Sequence, residues 1–462
     1  MGKNREVKAS FLYLVGNIST KAIAFITIPL FTRLLTPDEY GIVNTYSSWV
    51  HIASVLVTLS LYNSFRMAYV ENKDDFESYC ASVIRLSGLL FIISMVVATV
   101  FMLISADVKN IWWMIYCCLI QAYGTFCVTA MSTKYMLQFN YTKRAVYMII
   151  PNAFCAILAL LLMYLNTENR IFWRIFAYVL VYIAFICVTL LETRKGRTKR
   201  EYWKYAITYS LPLVFHGLSL VVLSSSDRIM ITSLVGAAQS GIYSLVYNLG
   251  LIATAVATSL EGIWLPWFIT KLKKEEIYKI NDKVTYLIEN ITVVVIGVML
   301  VSPEILQIMA SKPYWVGKPI IFPIVLASYI TFLYDLAVNV EYQYKATKVI
   351  ASNTIMAALI NIGLNIVLIP TFGAIAAAYT TVIAYLFSLI FHLIYAKKLV
   401  NSIFPIRRYA KYFIIVILVC VASEFSLDYV VIRWGIAMIL GVWYLYAMFF
   451  KKRFIALQIK MD

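Results

Sequence analysis

Between Phe11 and Phe450 one apolar stretch follows another, each close to the length of a membrane-spanning helix and divided from the next by a short polar break. Wound as a helix, ~20 apolar residues span the hydrocarbon core, where every backbone N–H and C=O must bond within its own segment. That recurrence restricts the chain to one fold class, an all-α polytopic membrane protein. An outer-membrane barrel would alternate polar and apolar residues over segments of about 10, a pattern missing here. Charge agrees, because 14% of residues are charged where a soluble domain has about 25%.

Fourteen spans are expected, at 9–33, 40–66, 79–104, 111–136, 145–166, 171–192, 206–234, 240–269, 284–311, 319–344, 350–369, 373–396, 412–427 and 431–450. Glu424 and Asp428 shorten the thirteenth. The opening MGKNREVKAS leads into an apolar segment too long for a signal-peptide core, so it is expected to stay as the first span. No break is long enough to hold a soluble domain.

The net charge of +17 would suit a nucleic-acid partner if the basic residues shared one face. They cluster instead in alternate breaks, as the positive-inside rule requires. Arg194, Lys195, Arg197, Lys199, Arg200 and Lys204 follow the sixth span, and Lys271, Lys273, Lys274, Lys279 and Lys283 follow the eighth. Lys397, Lys398, Arg407, Arg408 and Lys411 follow the twelfth. The opposite breaks hold Arg33, Lys109, Arg170, Arg174, Lys312, Lys318 and Arg433. Both termini are therefore expected in the cytoplasm, with no nucleic-acid partner. The seven cysteines sit in or beside apolar runs without CxxC or Cys/His spacing, which predicts neither a disulfide frame nor a metal site.

The turn FTRLLTPDEYGI (31–42) has a counterpart in ITSLVGAAQSGI (231–242). Thr32, Leu34, Gly41 and Ile42 align with Thr232, Leu234, Gly241 and Ile242, and each turn joins the first two spans of a six-span set. The expected organisation is two pseudo-symmetric six-helix lobes, 1–192 and 206–396, with a basic linker at 193–205. A C-terminal helix pair and basic tail occupy 397–462. Six is even, so both lobes enter the membrane from the same side, with a site expected near the midplane.

Ionisable groups cost about 2.5–3.5 kcal/mol at the centre of a span, which makes each a functional candidate. In the first lobe Lys21 and Arg85 lie deep, while Arg33 and Arg66 close the first and second spans. Ser10, Asn17, Lys21 and Thr32 fall within about 40° on a helical wheel, one polar stripe. With no acid in its span cores, this lobe offers a cationic path for an anion. The same residues would also serve as snorkelling or interface anchors. The second lobe is mixed. Asp227 and Arg228 are adjacent and so point about 100° apart. Glu261 shares a face with Tyr243, Gly250 and Thr254, and Asp335 with Ser328, Thr331, Asn339 and Tyr342. Asn361 and Asn365 align with Thr354. Such carboxylates and amides suit sugar hydroxyls or gating, and equally the interhelical bonds that hold bundles together. His51 and His216 lie at membrane depth, either as packed imidazoles or as proton carriers. Pro29, Pro151, Pro212, Pro266 and Pro323 mark candidate kinks. No nucleotide loop or nucleophile set is present, so no enzyme and no cofactor are expected; any coupling would use H⁺ or Na⁺.

FTRLLTPDEYGIVNTY (31–46), with Arg66 beyond it, resembles the opening of Wzx-type polysaccharide repeat-unit flippases. These belong to the multidrug/oligosaccharidyl-lipid/polysaccharide exporter superfamily. SSSDRIMITSLVGAAQSGIYSLVYNL (224–249), WLPWF (264–268) and NIGLNIVLIPTFGAIAAAYTT (361–381) are similar to later segments of that family. The resemblance covers about the first 400 residues in arrangement and is specific in those patches. It implies a cationic cavity with alternating access in a bacterial cytoplasmic membrane. The implied cargo is undecaprenyl-pyrophosphate carrying an oligosaccharide for O-antigen, capsule or exopolysaccharide. It further implies hand-over to a polysaccharide polymerase and chain-length machinery. Lys21, Arg33, Arg66 and Arg85 would then replace the water shed by the pyrophosphate. Two rival readings are a cation-coupled multidrug antiporter of the same superfamily and a membrane-embedded polysaccharide polymerase or acyltransferase. Glu261 and Asp335 favour the antiporter, and the bare cationic first lobe opposes it. The enzyme would show a large outer loop or an Asp/His/Arg site, and neither is visible.

Overall fold

The computed structural model describes residues 22–23, 25–104, 111–450, 453–455 and 459, and the regular structure among them is entirely helical. In chain order the helices are α1 (Phe25–Leu34), α2 (Pro37–Thr58), α3 (Phe65–Glu71), α4 (Phe76–Ile104) and α5 (Trp112–Leu137). Then come α6 (Tyr141–Leu165), α7 (Arg170–Thr193), α8 (Arg200–Val235), α9 (Ala237–Lys273) and α10 (Ile277–Met309). The last five are α11 (Lys318–Gln343), α12 (Thr347–Phe372), α13 (Ala374–Leu399), α14 (Ile406–Phe425) and α15 (Val430–Phe449).

Among the described residues, 11 helices are long and apolar enough to cross a membrane, and a bent pair, α2 with the segment Leu61–Glu71, makes a twelfth. The expected first span lies partly outside the described residues. α14, the expected thirteenth, carries Arg407, Lys411 and Glu424 within 20 residues and falls short of that apolarity. Outward faces are greasy, as lipid demands: Ile92, Ile93, Val96, Val97 and Phe101 on α4 are exposed, as are Phe154, Ile157 and Leu161 on α6.

Packing divides the chain into two compact units, Met1–Thr232 and Ser233–Asp462. The first unit's core gathers Leu61, Phe65, Phe76, Tyr79, Phe126, Met131, Tyr135 and Tyr147, and the start of α8 adds Tyr202 and Ala206. In the second unit α11 is central, packed against α9, α10, α12, α13 and α14.

The second span, expected as one straight helix over 40–66, breaks after Thr58, and its two parts meet at 57°. No proline causes the bend. Leu59 and Ser60 adopt left-handed backbone, φ 49° and 45°, and the chain restarts as α3. The core holds this geometry: Leu61 and Phe65 are fully buried, and Tyr79 OH donates to Ser64 Oγ at 2.8 Å.

The two repeated turns are built differently. At the first, Thr36 caps α2: its Oγ1 accepts from Glu39 N at 3.3 Å, and Glu39 Oε2 accepts from Thr36 N at 2.8 Å. This reciprocal box, with Pro37 opening the helix, satisfies two otherwise orphaned N–H donors. The acids of TPDE are therefore helix chemistry. At the second turn Gly236, at φ 103°, makes the corner by backbone freedom alone.

Candidate functional site

In the first unit α8 sets a buried acid, Asp227, beside Arg228. Helices α2 and α4 to α7 carry carboxylates only in their end turns. α7 begins with two arginines on one face. Arg170 Nη1 donates to Leu34 O, closing the C-terminal end of α1. One turn on, the Arg174 guanidinium lies 4.2 Å from the Phe31 ring centroid and 3.8 Å from that of Tyr178. Stacking between two aromatic faces holds a guanidinium in apolar surroundings, because the rings present negative faces to it. In α8, Arg228 Nη1 donates to Ser224 O at 3.0 Å, and the Arg228 charge acts on His51 of α2. Beside them Thr45 and Thr232 share a hydrogen bond of 2.6 Å, and Tyr46 OH donates to Gln121 Oε1 at 3.0 Å.

The residues expected along the anion path separate. Asn17, Lys21 and the side chain of His216 lie outside the described residues. Arg33 is exposed at the end of α1, and Arg66 is exposed on α3 beyond the bend. Arg85 turns its guanidinium to the end of α7: it donates to Thr198 Oγ1, to Thr193 O at 3.4 Å and to Arg194 O at 3.1 Å. Those are carbonyls a helix C-terminus leaves unmatched, where a cation is favoured. Asp227 is buried next to Arg228. Arg174, read from the sequence only as a basic residue of an outer break, is the cation that the structure places between two aromatic rings. Its flanking FWRIF is the one available signal.

In the second unit two faces read separately from the sequence are brought together. α9 and α11 meet where Gly250 lets the backbones approach, and Ser328 Oγ donates to Gly250 O at 3.3 Å. Three turns along, Glu261 Oε1 accepts from Asn339 Nδ2 at 2.9 Å. Glu261 and Asp335 line one narrow cleft with Thr254, Thr258, Ser328 and Thr331. Two carboxylates among hydroxyls are a donor set for a proton or a small hard cation. No group of three or more His, Cys, Asp or Glu able to hold a metal occurs among the described residues.

Asn361 and Asn365 serve packing between α12 and α13. Asn361 Nδ2 donates to Thr381 Oγ1 at 3.3 Å, Asn365 Nδ2 to Asn361 Oδ1 at 3.2 Å, and Thr380 Oγ1 to Asn365 Oδ1. A second buried cluster had no sequence signal: Glu341 of α11 pairs with His392 of α13, and His392 with Asn353 of α12.

Among the described residues this is an all-helical polytopic fold. The model of the polysaccharide biosynthesis protein family matches residues 7–272, and the chain belongs to that family. Among curated proteins it is similar to an uncharacterized membrane protein of Haemophilus influenzae, 23% identical over 384 residues, covering 77% of this chain and 89% of that one. It is also similar to "Lsg locus putative protein 1" of the same organism, 21% identical over 367 residues, covering 76% and 88%. Among solved structures it has the fold of the lipid II flippase MurJ in an inward closed conformation, with TM-score 0.75, 15% identity, and 96% and 99% of the chains covered. An inward-facing multidrug resistance MATE transporter of the MOP superfamily matches at TM-score 0.54 and 12% identity, covering 83% and 96%.

Proposed function

We propose that the protein is a Wzx-type flippase. It carries undecaprenyl-pyrophosphate-linked oligosaccharide repeat units from the inner to the outer leaflet of the bacterial cytoplasmic membrane, by alternating access, with both termini in the cytoplasm. The observation that carries this reading is the scarcity of carboxylates against arginines in helices α2 and α4 to α7 of a chain of the polysaccharide biosynthesis family. Helices α2 and α4 to α7 carry carboxylates only in their end turns, Arg174 stands in the second turn of α7, and Arg228 of α8 has the acid Asp227 beside it. A pyrophosphate entering hydrocarbon sheds water that only fixed cations and N–H donors replace. Guanidinium groups suit that task, since their planar fork matches phosphate oxygens.

The Glu261–Asp335 cleft fits the cycle as a site for a coupling H⁺ or Na⁺. It also favours the second reading, a cation-coupled multidrug antiporter, in which the same carboxylates would bind the drug.

The test is transbilayer movement of a pyrophosphate-linked glycolipid in proteoliposomes. Wild type is compared with Lys21→Ala, Lys21→Arg, Arg174→Ala and Arg174→Lys. The flippase reading expects movement in wild type, loss of at least tenfold in either alanine variant, and recovery in the variants that keep the charge. If wild type leaves the glycolipid in place but expels a cationic dye, the antiporter reading replaces it.

A further inference from the structure

We propose that the first unit contains a saccharide-binding subsite, separate from Arg174 and Arg228, in a cavity of about 560 Å³ between α3 and the N-terminal turns of α8. It takes the sugar units of a membrane-anchored glycolipid outside the hydrocarbon core. This inference rests on the flippase reading and assigns its cargo a first docking place.

The position follows from length. α8 has 36 residues, or about 54 Å of helix, against roughly 30 Å of hydrocarbon. Its first turns therefore stand clear of the core, on the side of the basic break 194–204. Opposite them, the bend at Leu59–Ser60 sends α3 off the axis of α2 and opens the space that becomes the cavity.

The lining has the chemistry of sugar recognition. Tyr205 and Tyr209 lie one turn apart with ring planes within 5° and centroids 6.4 Å apart, so they form one aromatic strip. Such a strip accepts the apolar C–H face of a pyranose. Glu71, Glu201, Lys204 and Thr208 surround it, supplying charged acceptors and donors for ring hydroxyls, the stronger kind of hydrogen bond. A volume within the usual range of ligand sites, apolar in body with a few placed polar groups, is what a small ligand needs.

The strip is also fixed before any ligand arrives. Tyr205 OH donates to Glu71 Oε2 at 2.7 Å, and its ring meets Tyr79 edge-on at 5.9 Å. Burial and then the Glu71 carboxylate push the Tyr205 hydroxyl up to about 12, so it remains a donor at neutral pH. Behind the strip, Trp203 Nε1 donates to Ser82 O at 2.9 Å and Tyr202 OH to Asp75 Oδ2 at 2.7 Å, locking α8 onto α4 and the turn before it. A preorganised wall spares the ordering cost of binding.

The experiment uses the full chain in nanodiscs, with Cys187→Ser and Thr208→Cys, and follows modification of the introduced thiol by a membrane-impermeant maleimide. The probes are a polyprenyl pyrophosphate carrying a trisaccharide, the same lipid pyrophosphate without sugar, and a uridine-diphosphate hexose. We expect the glycolipid to slow labelling at least fivefold and the sugar-free lipid to leave it unchanged. Adding Tyr209→Ala should move half-protection at least tenfold higher in glycolipid, while Tyr209→Trp keeps it. Equal protection by the sugar-free lipid, protection by the sugar nucleotide alone, or no protection at all would each overturn the subsite. Labelling reads occupancy, not movement. Protection in a chain that moves no glycolipid would therefore sink the flippase reading and leave the subsite standing; movement without protection would do the reverse.

Discussion

Glu341 Oε1 stands 2.8 Å from His392 Nδ1, joining α11 to α13 where both side chains are shut away from solvent. Asn353 Nδ2 completes the row, 2.6 Å from His392 Nε2. Removing one member of such a pair strands the other, which costs about 3–5 kcal/mol. Glu341→Ala and His392→Ala should each lower the thermal midpoint of the solubilised protein by several degrees. Because the damage is shared, the double variant should lose much less than the sum. Additive losses would show that the two groups do not act as a pair.

Much of the architecture was legible, for reasons that particular residues make plain. Apolar runs gave the helices because a bilayer admits few other structures. The Glu261 and Asp335 faces were legible because helical phase is local, and the structure sets them against each other across α9 and α11. The capping residues of TPDE were also within reach, although their charges drew attention toward transport. What stayed hidden depends on partners distant in sequence. Arg85 reads as a deep cation until Thr193 and Arg194 arrive at the end of another helix. Glu341 and His392 show no periodic relation. The bend at Leu59–Ser60 had no glycine or proline to announce it, since the surrounding core imposes it.

That bend makes a backbone prediction. Ser60 holds φ 45° in a buried position, a conformation that costs a β-branched residue about 1–3 kcal/mol. Ser60→Val should therefore destabilise the first unit by about that amount. Ser60→Gly should be nearly neutral, because the glycine's ease in this conformation offsets its entropy cost of about 0.5–1 kcal/mol. Thermal midpoints of the two variants side by side decide it. Equal losses would locate the effect in the lost hydroxyl instead of the backbone.

A buried arginine ties the C-terminal helix pair to α10. Arg433, almost fully buried, donates to both oxygens of Glu304, to Leu300 O at 2.7 Å, and to Ser426 O and Leu427 O at 3.0 Å each. An ammonium cannot reach that fork of acceptors. Arg433→Lys should therefore fail to restore what Arg433→Ala loses, about 3–5 kcal/mol. Limited proteolysis after α13 should then release the tail of either variant and spare wild type. A fully stable lysine variant would mean that the Arg433 site needs only its charge.

The carboxylate cleft of the second unit depends on a contact with no charge in it. A Cβ placed on Gly250 would stand 2.6 Å from Ile324 Cγ2 and 3.3 Å from Ser328 Oγ. The Ile324 methyl sits on a β-branched carbon with few rotamers, so it cannot simply swing away. Gly250→Ala should then push α9 off α11, costing about 1–3 kcal/mol as overpacking does. It should also lengthen the Glu261–Asn339 bond three turns along. If crowding is the cause, Ile324→Ala in the same chain vacates the space and should restore most of both stability and transport. If Gly250→Ala loses transport and the Ile324→Ala partner does not return it, the glycine serves helix flexibility, and the cleft does not rely on this close approach.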